Sequence, residues 1–324
     1  MLPKIFVTRE IPVDGMQLLE SIGNIDIHKG KRPVSQEELV RGVKGADALC
    51  CMLTDQVSKE VVGAASHLRI VANMAVGIDN IDISACTEKG IVVTNTPGVL
   101  TDATADLAWA LLMAVSRRII EGDHYVRAGK FTGWDPVLLL GGDFCGKNLG
   151  IVGMGRIGQA VARRGRGFGM NIIYHSRNRL PEDIEDGLGA TYLPLEKLVC
   201  EADYLTLHLP YYSEVHHLID RQKLRMMKPT AYLINTARGA HVDERALLEH
   251  LKAGRIAGAA LDVYEREPQL TAGLADLDTV VLAPHMGSAS ASTRRRMAQM
   301  VAKDVEAVLN DKRPTYAVNP DVYG

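Results

Sequence analysis

The chain has 324 residues, 47% of them hydrophobic and 23% charged, a composition typical of a globular protein with a large core. Its 37 Lys and Arg residues nearly balance 39 Asp and Glu residues, which argues against nucleic acid or a membrane surface as the main partner. A chain of this length favours two domains.

The N-terminal third alternates short apolar runs with helical patterns. Helices are predicted at "DGMQLLESIG" (14–23) and "SQEELVRGV" (35–43). Strands are predicted at "KIFVT" (4–8), "ADALCCM" (46–52), "RIVANM" (69–74) and "IVVTNT" (91–96). This alternation is typical of an α/β domain with a parallel sheet.

A second series of elements follows. The pattern "TDATADLAWALLMAVSRRIIEGDHYVRAG" (101–129) predicts one long helix, and a last helix is predicted over 292–310. Strands are predicted at "NLGIVGMG" (148–155), "NIIYHS" (171–176), "ADYLTLHL" (202–209), "TAYLINTA" (230–237), "AGAALDVY" (257–264) and "DTVVLAP" (278–284). The fold class predicted is therefore α/β with two doubly wound sheets.

The sequence shows no pattern typical of a targeting signal or of a metal site. The start, "MLPKIFVTRE", lacks the pattern of a secretory signal, and the longest apolar block, 107–115, is far below the ~20 residues of a membrane helix. Five cysteines are an odd number without metal-like spacing, and Cys50 and Cys51 are predicted to be core thiols. We expect a cytoplasmic protein with no structural metal.

A glycine-rich turn links a predicted strand to a predicted helix. Gly153 suits the tight turn, Gly155 lets a pyrophosphate approach the backbone, and Gly158 lets the helix pack closely on the strand. The helix start then offers free N–H groups to an anion. The pattern predicts a dinucleotide site, with an ordinary turn as the alternative.

The segment "IIYHSRNR" (172–179) indicates which dinucleotide binds. In NAD-binding units an acidic residue ~20 residues after the glycine turn binds the ribose. Here that position falls near His175, with no acidic residue, and Ser176, Arg177 and Arg179 follow. A carboxylate would repel a 2′-phosphate, whereas a guanidinium can bind one. We predict NADP(H), with NAD(H) as the weaker alternative; solvated loop charges are the other interpretation.

Several longer motifs carry a resemblance to a known family. They are "NMAVGIDNID" (73–82), "TNTPGVLTDATADLAWALLMA" (94–114), "GKNLGIVGMGRIGQAVARR" (146–164), "INTARGAHVDERAL" (234–247), "GAALDVYEREP" (258–268) and "LAPHMGSAS" (282–290). The chain resembles the D-isomer-specific 2-hydroxyacid dehydrogenases, and within them the glyoxylate/hydroxypyruvate reductases, over essentially its whole length.

The resemblance implies three catalytic residues. Arg238 would bind the substrate carboxylate, His285 would act as the acid/base, and Glu267 would be the partner of that histidine. The roles are chemically sensible because an Arg fork grips a carboxylate and a histidine can supply a proton near neutral pH. His241 is a weaker candidate for substrate contact, and other histidines such as 216, 217 and 250 are expected at the surface or in packing.

The resemblance also implies binding residues. Backbone N–H groups of Val76 and Gly77 would contact the substrate carboxylate, in a turn shaped by Asp79. Asp262 would accept from the nicotinamide amide; a turn carboxylate is the alternative. The predicted cofactor contacts are Thr104, Gly153, Gly155, Arg156, Ile157, Gly158, Ser176, Arg177, Arg179, Thr236, Asp262, His285 and Gly287.

The implied architecture has two lobes with the active site in their cleft. Residues 1–100 and 287–324 would form a flavodoxin-like substrate domain, and residues 101–286 a Rossmann cofactor domain. A homodimer through the cofactor domain is expected, with the segment "FTGWDPVLLLGGD" around Trp134 as an arm. One departure from the family pattern is visible, because Tyr212 and Val215 fill positions where relatives usually carry threonine.

The predicted function is NADPH-dependent reduction of glyoxylate and hydroxypyruvate to D-2-hydroxy acids. Reduction of 2-ketogluconate or another 2-keto acid is the nearest alternative, and phosphite and formate dehydrogenation are more distant. A dinucleotide-sensing regulator is the alternative from a different class; Arg238, Glu267 and His285 together argue against it.

Overall fold

The structure is a computed structural model that describes residues 2–30 and 32–324. Met1 and Lys31, which fall within the predicted substrate domain, lie outside the described residues. Within the described part, no helix has both the length and the apolar character that a bilayer crossing requires. The same residues include no group of three or more His, Cys, Asp or Glu side chains placed to hold a metal ion.

The chain divides into two compact units, the first comprising Met1–Leu100 and Ser288–Gly324. Its parallel sheet has the order β2-β1-β3-β4-β5, the flavodoxin-like order. Its elements are β1 (Lys4–Val7), α1 (Val13–Ile22), β2 (Asn24–Ile27), α2 (Gln36–Val43), β3 (Ala48–Cys51), α3 (Lys59–Ala64), β4 (Ile70–Asn73), α4 (Ile83–Glu88), β5 (Val92–Thr94) and, at the C-terminus, α12 (Ala291–Leu309).

Local sequence signals account for several of these elements. Ser35 and Glu38 form a capping box that starts α2, each side chain bonding to the other's backbone amide. Strands β3 and β4 are buried along their whole length, as expected for central strands of a parallel sheet. Helices α1 and α12 pack closely at Gly15, where a Cβ atom would lie 2.6 Å from the Cβ of Ala298.

The C-terminal segment covers the edge of this sheet beside β5. The amide of Val318 donates to the carbonyl of Val93 at 2.8 Å, and the amide of Val93 donates to the side-chain oxygen of Asn319 at 2.7 Å. Asp304 on α12 accepts from the amide of Thr315 at 2.9 Å and so fixes the start of this segment. The outer strand therefore has a partner on both sides.

The second unit, Thr101–Gly287, contains a seven-stranded parallel sheet. Its order is β12-β11-β10-β9-β6-β7-β8, so the strand order reverses between β6 and β9, as in a Rossmann fold. Its elements are α5 (Thr101–Ser116), α6 (Ile119–Arg127), β6 (Asn148–Val152), α7 (Arg156–Gly167), β7 (Asn171–His175), α8 (Glu182–Leu188), β8 (Ala190–Tyr192), α9 (Leu195–Glu201), β9 (Tyr204–Leu207), α10 (Arg221–Met226), β10 (Tyr232–Asn235), α11 (Glu244–Lys252), β11 (Gly258–Leu261) and β12 (Val280–Leu282).

The structure corrects two details of the predictions for this unit. The single helix predicted over 101–129 is two helices, because Arg118 adopts a left-handed conformation, φ 52°, between α5 and α6. Gly287, predicted to begin the second segment of the substrate domain, groups with the second unit. Its amide donates to Asp262 and its carbonyl accepts from Thr104, which ties it to this unit.

The segment after α6, residues 131–140, exposes apolar side chains. Trp134 is 85% exposed, and Phe131, Val137 and Leu140 are exposed as well. In the same unit, helices α5 and α7 pack together, and the indole N–H of Trp109 donates to the carbonyl of Val161 at 3.1 Å. The segment thus presents an apolar surface that its own unit leaves uncovered.

Candidate active site

The glycine turn after β6 is set by close contacts with its neighbours. Gly153 has φ 94°, and a Cβ atom there would lie 2.5 Å from the carbonyl oxygen of His208. At Gly158 a Cβ atom would lie 2.1 Å from the carbonyl oxygen of Gly153, whereas at Gly155 it would meet no atom of the described residues within 4 Å. Gly155 caps the start of α7, where Arg156 and Ile157 follow, so open space faces free helix N–H groups.

A cavity of about 420 Å³ lies at the carboxyl ends of β6, β7 and β9. This is the crevice where the strand order reverses, and its volume is within the range of small-molecule sites. The residues that line it are Val152, Gly153, Met154, Gly155, His175, Ser176, Arg177, Asn178, His208, Leu209, Pro210, Tyr212, Val215 and Leu218. The glycine turn, the helix start and this cavity together fit the adenosine half of a dinucleotide.

The two arginines of the "SRNR" loop differ in their surroundings. Arg177 lines the cavity, and in the described part of the chain it forms no ion pair. Arg179 instead binds the carboxylate of Glu185 through two hydrogen bonds of 2.9 and 2.7 Å. Glu185 is nearly buried and also accepts from the hydroxyl of Tyr174. Ser176 and Arg177 therefore line the cavity, whereas Arg179 does not and is bound to Glu185 instead.

One cavity residue, His208, was not singled out by the sequence. Its Nε2 lies 2.8 Å from the hydroxyl of Thr206, and its buried Nδ1 has no hydrogen-bond partner among the described residues. Burial lowers the pKa of His208 to about 3, so the ring is neutral. Its position directly after β9, at the edge where open α/β sheets bind ligands, is the signal that would have identified it.

His285 and Glu267 form a direct pair. Nδ1 of His285 lies 2.9 Å from Oε2 of Glu267, and the amide of Tyr264 donates to Oε1 at 3.1 Å. Burial alone would raise the pKa of Glu267, but the hydrogen bond from His285 and its charge hold that pKa below the usual value. The pair leaves Nε2 of His285 as the nitrogen that can face a substrate.

Asp262, at the end of β11, organises the loop that carries His285. Its carboxylate accepts from the amides of Met286 and Gly287 at 2.6 and 2.8 Å. Burial raises the pKa of Asp262, and these two hydrogen bonds oppose the rise. His285 has φ 54°, a conformation uncommon for a residue with a side chain. The turn interpretation of Asp262 is thus realised, and the predicted nicotinamide contact stays a prediction.

Arg238 follows β10 and precedes a 3-10 turn, Gly239–His241. Its Nη1 donates to the carbonyl of Ala237 at 2.8 Å, and its charge contributes to lowering the pKa of Glu267. A Cβ atom on Gly239 would lie 1.8 Å from the carbonyl carbon of Tyr264, so the Arg238 and Glu267 loops are in backbone contact.

Two threonines among the predicted cofactor contacts, Thr236 and Thr104, lie near these loops. The hydroxyl of Thr236 is buried and has no hydrogen-bond partner among the described residues. The hydroxyl of Thr104 donates to the carbonyl of Gly287 at 3.1 Å. Thr236 is therefore available to a ligand, whereas Thr104 supports the loop after His285.

In the first unit, the turn at Val76 and Gly77 has its carbonyls held and its amides open. Asn95 donates to the carbonyl of Val76, and Asn73 donates to the carbonyl of Gly77, both at 2.8 Å. No hydrogen bond engages the two amides within residues 2–30 and 32–324. Such paired N–H groups suit a carboxylate, as the resemblance implies.

Three other histidines, His241, His250 and His217, contact protein groups away from the His285–Glu267 pair. His241 is fully buried, with Nε2 3.4 Å from the carbonyl of Pro210. His250 is buried in α11, with Nδ1 2.7 Å from the carbonyl of Ala246. Nε2 of His217 is 3.2 Å from Glu265 but lacks hydrogen-bond geometry, so the contact is electrostatic.

Comparison with known proteins agrees with this geometry. The family "D-isomer specific 2-hydroxyacid dehydrogenase, NAD binding domain" matches residues 109–287, more than half of the chain. Two curated relatives, each named glyoxylate reductase, cover 99% of this chain. That of Korarchaeum cryptofilum is 52% identical with 97% of its length covered, and that of Thermococcus litoralis is 50% identical with 98% covered.

A solved structure extends the comparison. The NADPH-dependent glyoxylate/hydroxypyruvate reductase of Sinorhizobium meliloti, in complex with NADP and malonate, superimposes with a TM-score of 0.85 at 31% identity. The match covers 98% of this chain and 97% of the other. The chain therefore belongs to the D-isomer-specific 2-hydroxyacid dehydrogenase family, whose members are NAD(P)-dependent oxidoreductases.

Proposed function

We propose that this protein uses NADPH to reduce glyoxylate to glycolate, which is achiral, and hydroxypyruvate to its D-2-hydroxy acid, D-glycerate. The observation that carries the proposal is the His285–Glu267 pair, because a histidine held by a carboxylate at Nδ1 has Nε2 left to protonate a carbonyl oxygen. The names of the two curated relatives support glyoxylate as the acceptor, and the name of the Sinorhizobium enzyme supports hydroxypyruvate.

The chain's own residues have three tasks in this reaction. NADPH, which the glycine turn, Ser176 and Arg177 would hold, would supply a hydride for the carbonyl carbon. Arg238 grips the substrate carboxylate and orients the carbonyl. Protonated His285 gives its Nε2 proton to the carbonyl oxygen and becomes a neutral imidazole. Solvent then reprotonates the ring. Glu267 keeps the ring oriented and favours its charged form.

The preference for NADPH is supported by Arg177 rather than by Arg179. Arg177 lines the cavity and has no ion-pair partner among the described residues, whereas Arg179 is bound by Glu185. A guanidinium at this place can pair with the 2′-phosphate, and Ser176 offers a hydroxyl beside it. NADH lacks that phosphate and is the weaker cofactor.

The test is a steady-state assay of glyoxylate and hydroxypyruvate with NADPH and NADH in parallel, with 2-ketogluconate as a competing acceptor. We expect turnover of the two small keto acids and a lower KM for NADPH. Arg238→Ala should cost ~2–5 kcal/mol in kcat/KM, and Arg238→Lys should recover only part of the loss. Nucleotide binding without oxidation of NADPH would favour a regulatory protein instead.

We also propose that the protein is a homodimer through its cofactor domain, with the apolar segment 131–140 as an arm. Trp134 is 85% exposed there, with three further exposed apolar side chains nearby. Sedimentation of wild type and Trp134→Glu tests this, and a monomeric wild type would contradict it.

We propose a cytoplasmic location as well, which is supported by five cysteines that are all free thiols. Cell fractionation tests this location.

A further inference from the structure

Arg177 and Tyr212 come from different loops and meet at the cavity. Arg177 follows β7 and Tyr212 follows β9, and both line the cavity. The guanidinium carbon of Arg177 lies 5.9 Å from the centre of the Tyr212 ring. That distance is within the range of a cation–π contact, in which a positive charge is attracted to the electron-rich face of an aromatic ring.

This contact differs from the way Arg179 is held two residues later. Arg179 lies at the same 5.9 Å from the ring of Tyr192, but its N–H groups are taken by the Glu185 carboxylate. Arg177 forms no ion pair in the described part of the chain. A guanidinium that interacts with a ring through its face keeps its N–H edge available to a phosphate.

We propose that Tyr212 is a specificity-determining residue that positions Arg177 for the 2′-phosphate of the dinucleotide. The inference rests on the proposed preference for NADPH and adds the residue that holds the arginine in place. Arg177 is exposed and its side chain would otherwise sample many rotamers. Holding it before the ligand arrives lowers the ordering cost of binding, and that gain goes only to a ligand with the phosphate.

A smaller residue at position 212 would lose this effect. Threonine has no ring to attract the guanidinium, whereas phenylalanine keeps the ring and loses only the hydroxyl. Val215, buried beside Tyr212 in the same cavity wall, contributes no polar contact that could replace the ring. The proposal therefore makes the ring, not the hydroxyl, the active part of Tyr212.

The experiment measures binding by calorimetry on the full chain, so that it does not depend on turnover. The probes are adenosine 2′,5′-bisphosphate, which carries the 2′-phosphate, and adenosine 5′-monophosphate, which lacks it. The proteins are wild type, Tyr212→Phe, Tyr212→Thr, Arg177→Ala and the double variant Arg177→Ala/Tyr212→Thr. Tyr192→Leu, which removes the matched ring outside the cavity, is the control, with circular dichroism to check its fold.

We expect Tyr212→Thr to weaken the bisphosphate about two- to fivefold, the size of an exposed cation–π contact, and to leave the monophosphate unchanged. Tyr212→Phe and Tyr192→Leu should bind like wild type. In the Arg177→Ala background the Thr substitution should add nothing. With NADPH and glyoxylate, Tyr212→Thr should raise the KM for NADPH and leave kcat unchanged.

Three outcomes would overturn the proposal. Equal weakening of both probes by Tyr212→Thr would make Tyr212 a wall for the adenosine only. A Phe variant that behaves like Thr would assign the effect to the hydroxyl. Additive effects of the Arg177 and Tyr212 substitutions would show that the two residues act separately. If wild type itself binds both probes equally, the proposed NADPH preference fails first, and that result is distinct from the other three.

Discussion

The main-chain carbonyl of Asp262 accepts a hydrogen bond from the amide of His285 at 2.9 Å, and the Asp262 carboxylate accepts from the next two amides. In Asp262→Asn the side-chain NH₂ must face one of those N–H groups, so a hydrogen bond worth ~1.5–3 kcal/mol is lost and the loop shifts. We expect kcat to fall roughly tenfold to a hundredfold. Asp183→Asn, on the exposed start of α8, is the matched control. An unchanged kcat would restrict Asp262 to a role in stability.

Replacing Glu267 with Gln should move the pH profile of reduction. His285 lowers the pKa of Glu267, and by the same interaction the carboxylate favours the protonated imidazole that reduction requires. Activity should therefore fall as pH rises, and we expect that fall to begin at a lower pH in Glu267→Gln than in wild type. The measurement is kcat/KM for glyoxylate from pH 5 to 9. Glu265→Gln, whose carboxylate faces His217, should leave the profile in place.

Arg179→Ala should affect stability rather than cofactor choice. The guanidinium holds the pKa of Glu185 below its usual value through two hydrogen bonds, and Glu185 is nearly buried. Its removal leaves that carboxylate without its cation, so the midpoint of thermal unfolding should fall. The ratio of KM for NADPH to KM for NADH should stay near that of wild type. A collapse of that ratio with unchanged unfolding would instead make Arg179 a phosphate ligand.

Gly239→Ala should impair catalysis by separating two loops. The new Cβ atom would lie 1.8 Å from the carbonyl carbon of Tyr264 and 2.3 Å from the amide nitrogen of Glu265, both backbone atoms. The backbone must move, at a cost of ~1–3 kcal/mol or more in unfolding free energy, and Arg238 and Glu267 move with it. We expect lower kcat/KM and lower denaturant midpoint. Gly187→Ala should be tolerated, because no atom in the described part of the chain lies within 4 Å of the new Cβ position.

Asp304 should make stability depend on pH in the first unit. Burial raises its pKa to about 6 from a usual value of 3.8, so the folded protein binds this proton more tightly than the unfolded chain. The stability it contributes is present below about pH 4 and is lost as pH rises to about 6. Relative to Asp304→Asn, wild type should lose ~1–3 kcal/mol across that window in urea unfolding. The exposed Asp321→Asn should follow wild type, and parallel curves for wild type and Asp304→Asn would exclude the effect.

Most of the fold was predictable because both sheets consist largely of buried apolar strands that end at recognisable turns. Two strands were not predicted. Strand β2, "NIDI", is polar at alternate positions and exposed at two of them, and β8 has only three residues. The break at Arg118 was also missed, since neither glycine nor proline marks it.

The candidate site was predictable only in part, because spacing does not reveal which side chains a fold brings together. The glycine turn could be derived from the residues alone, whereas Arg238, Glu267 and His285 required the family resemblance. Arg177 and Arg179 could not be separated in the sequence. The difference between them is set by Glu185, a residue on α8 that only the fold brings beside Arg179.

The segment that pairs with β5 has a consequence for any shortened form of the protein. Truncation before Ala317 would remove the partners of Val93 and leave an apolar strand, "VVT", with unpaired N–H and C=O groups at the margin of the sheet. Such margins pair readily with strands of other molecules. The residues from Ala317 onward thus cover this edge of the sheet and should limit self-association. A purification tag is better attached after them through a linker than put in their place.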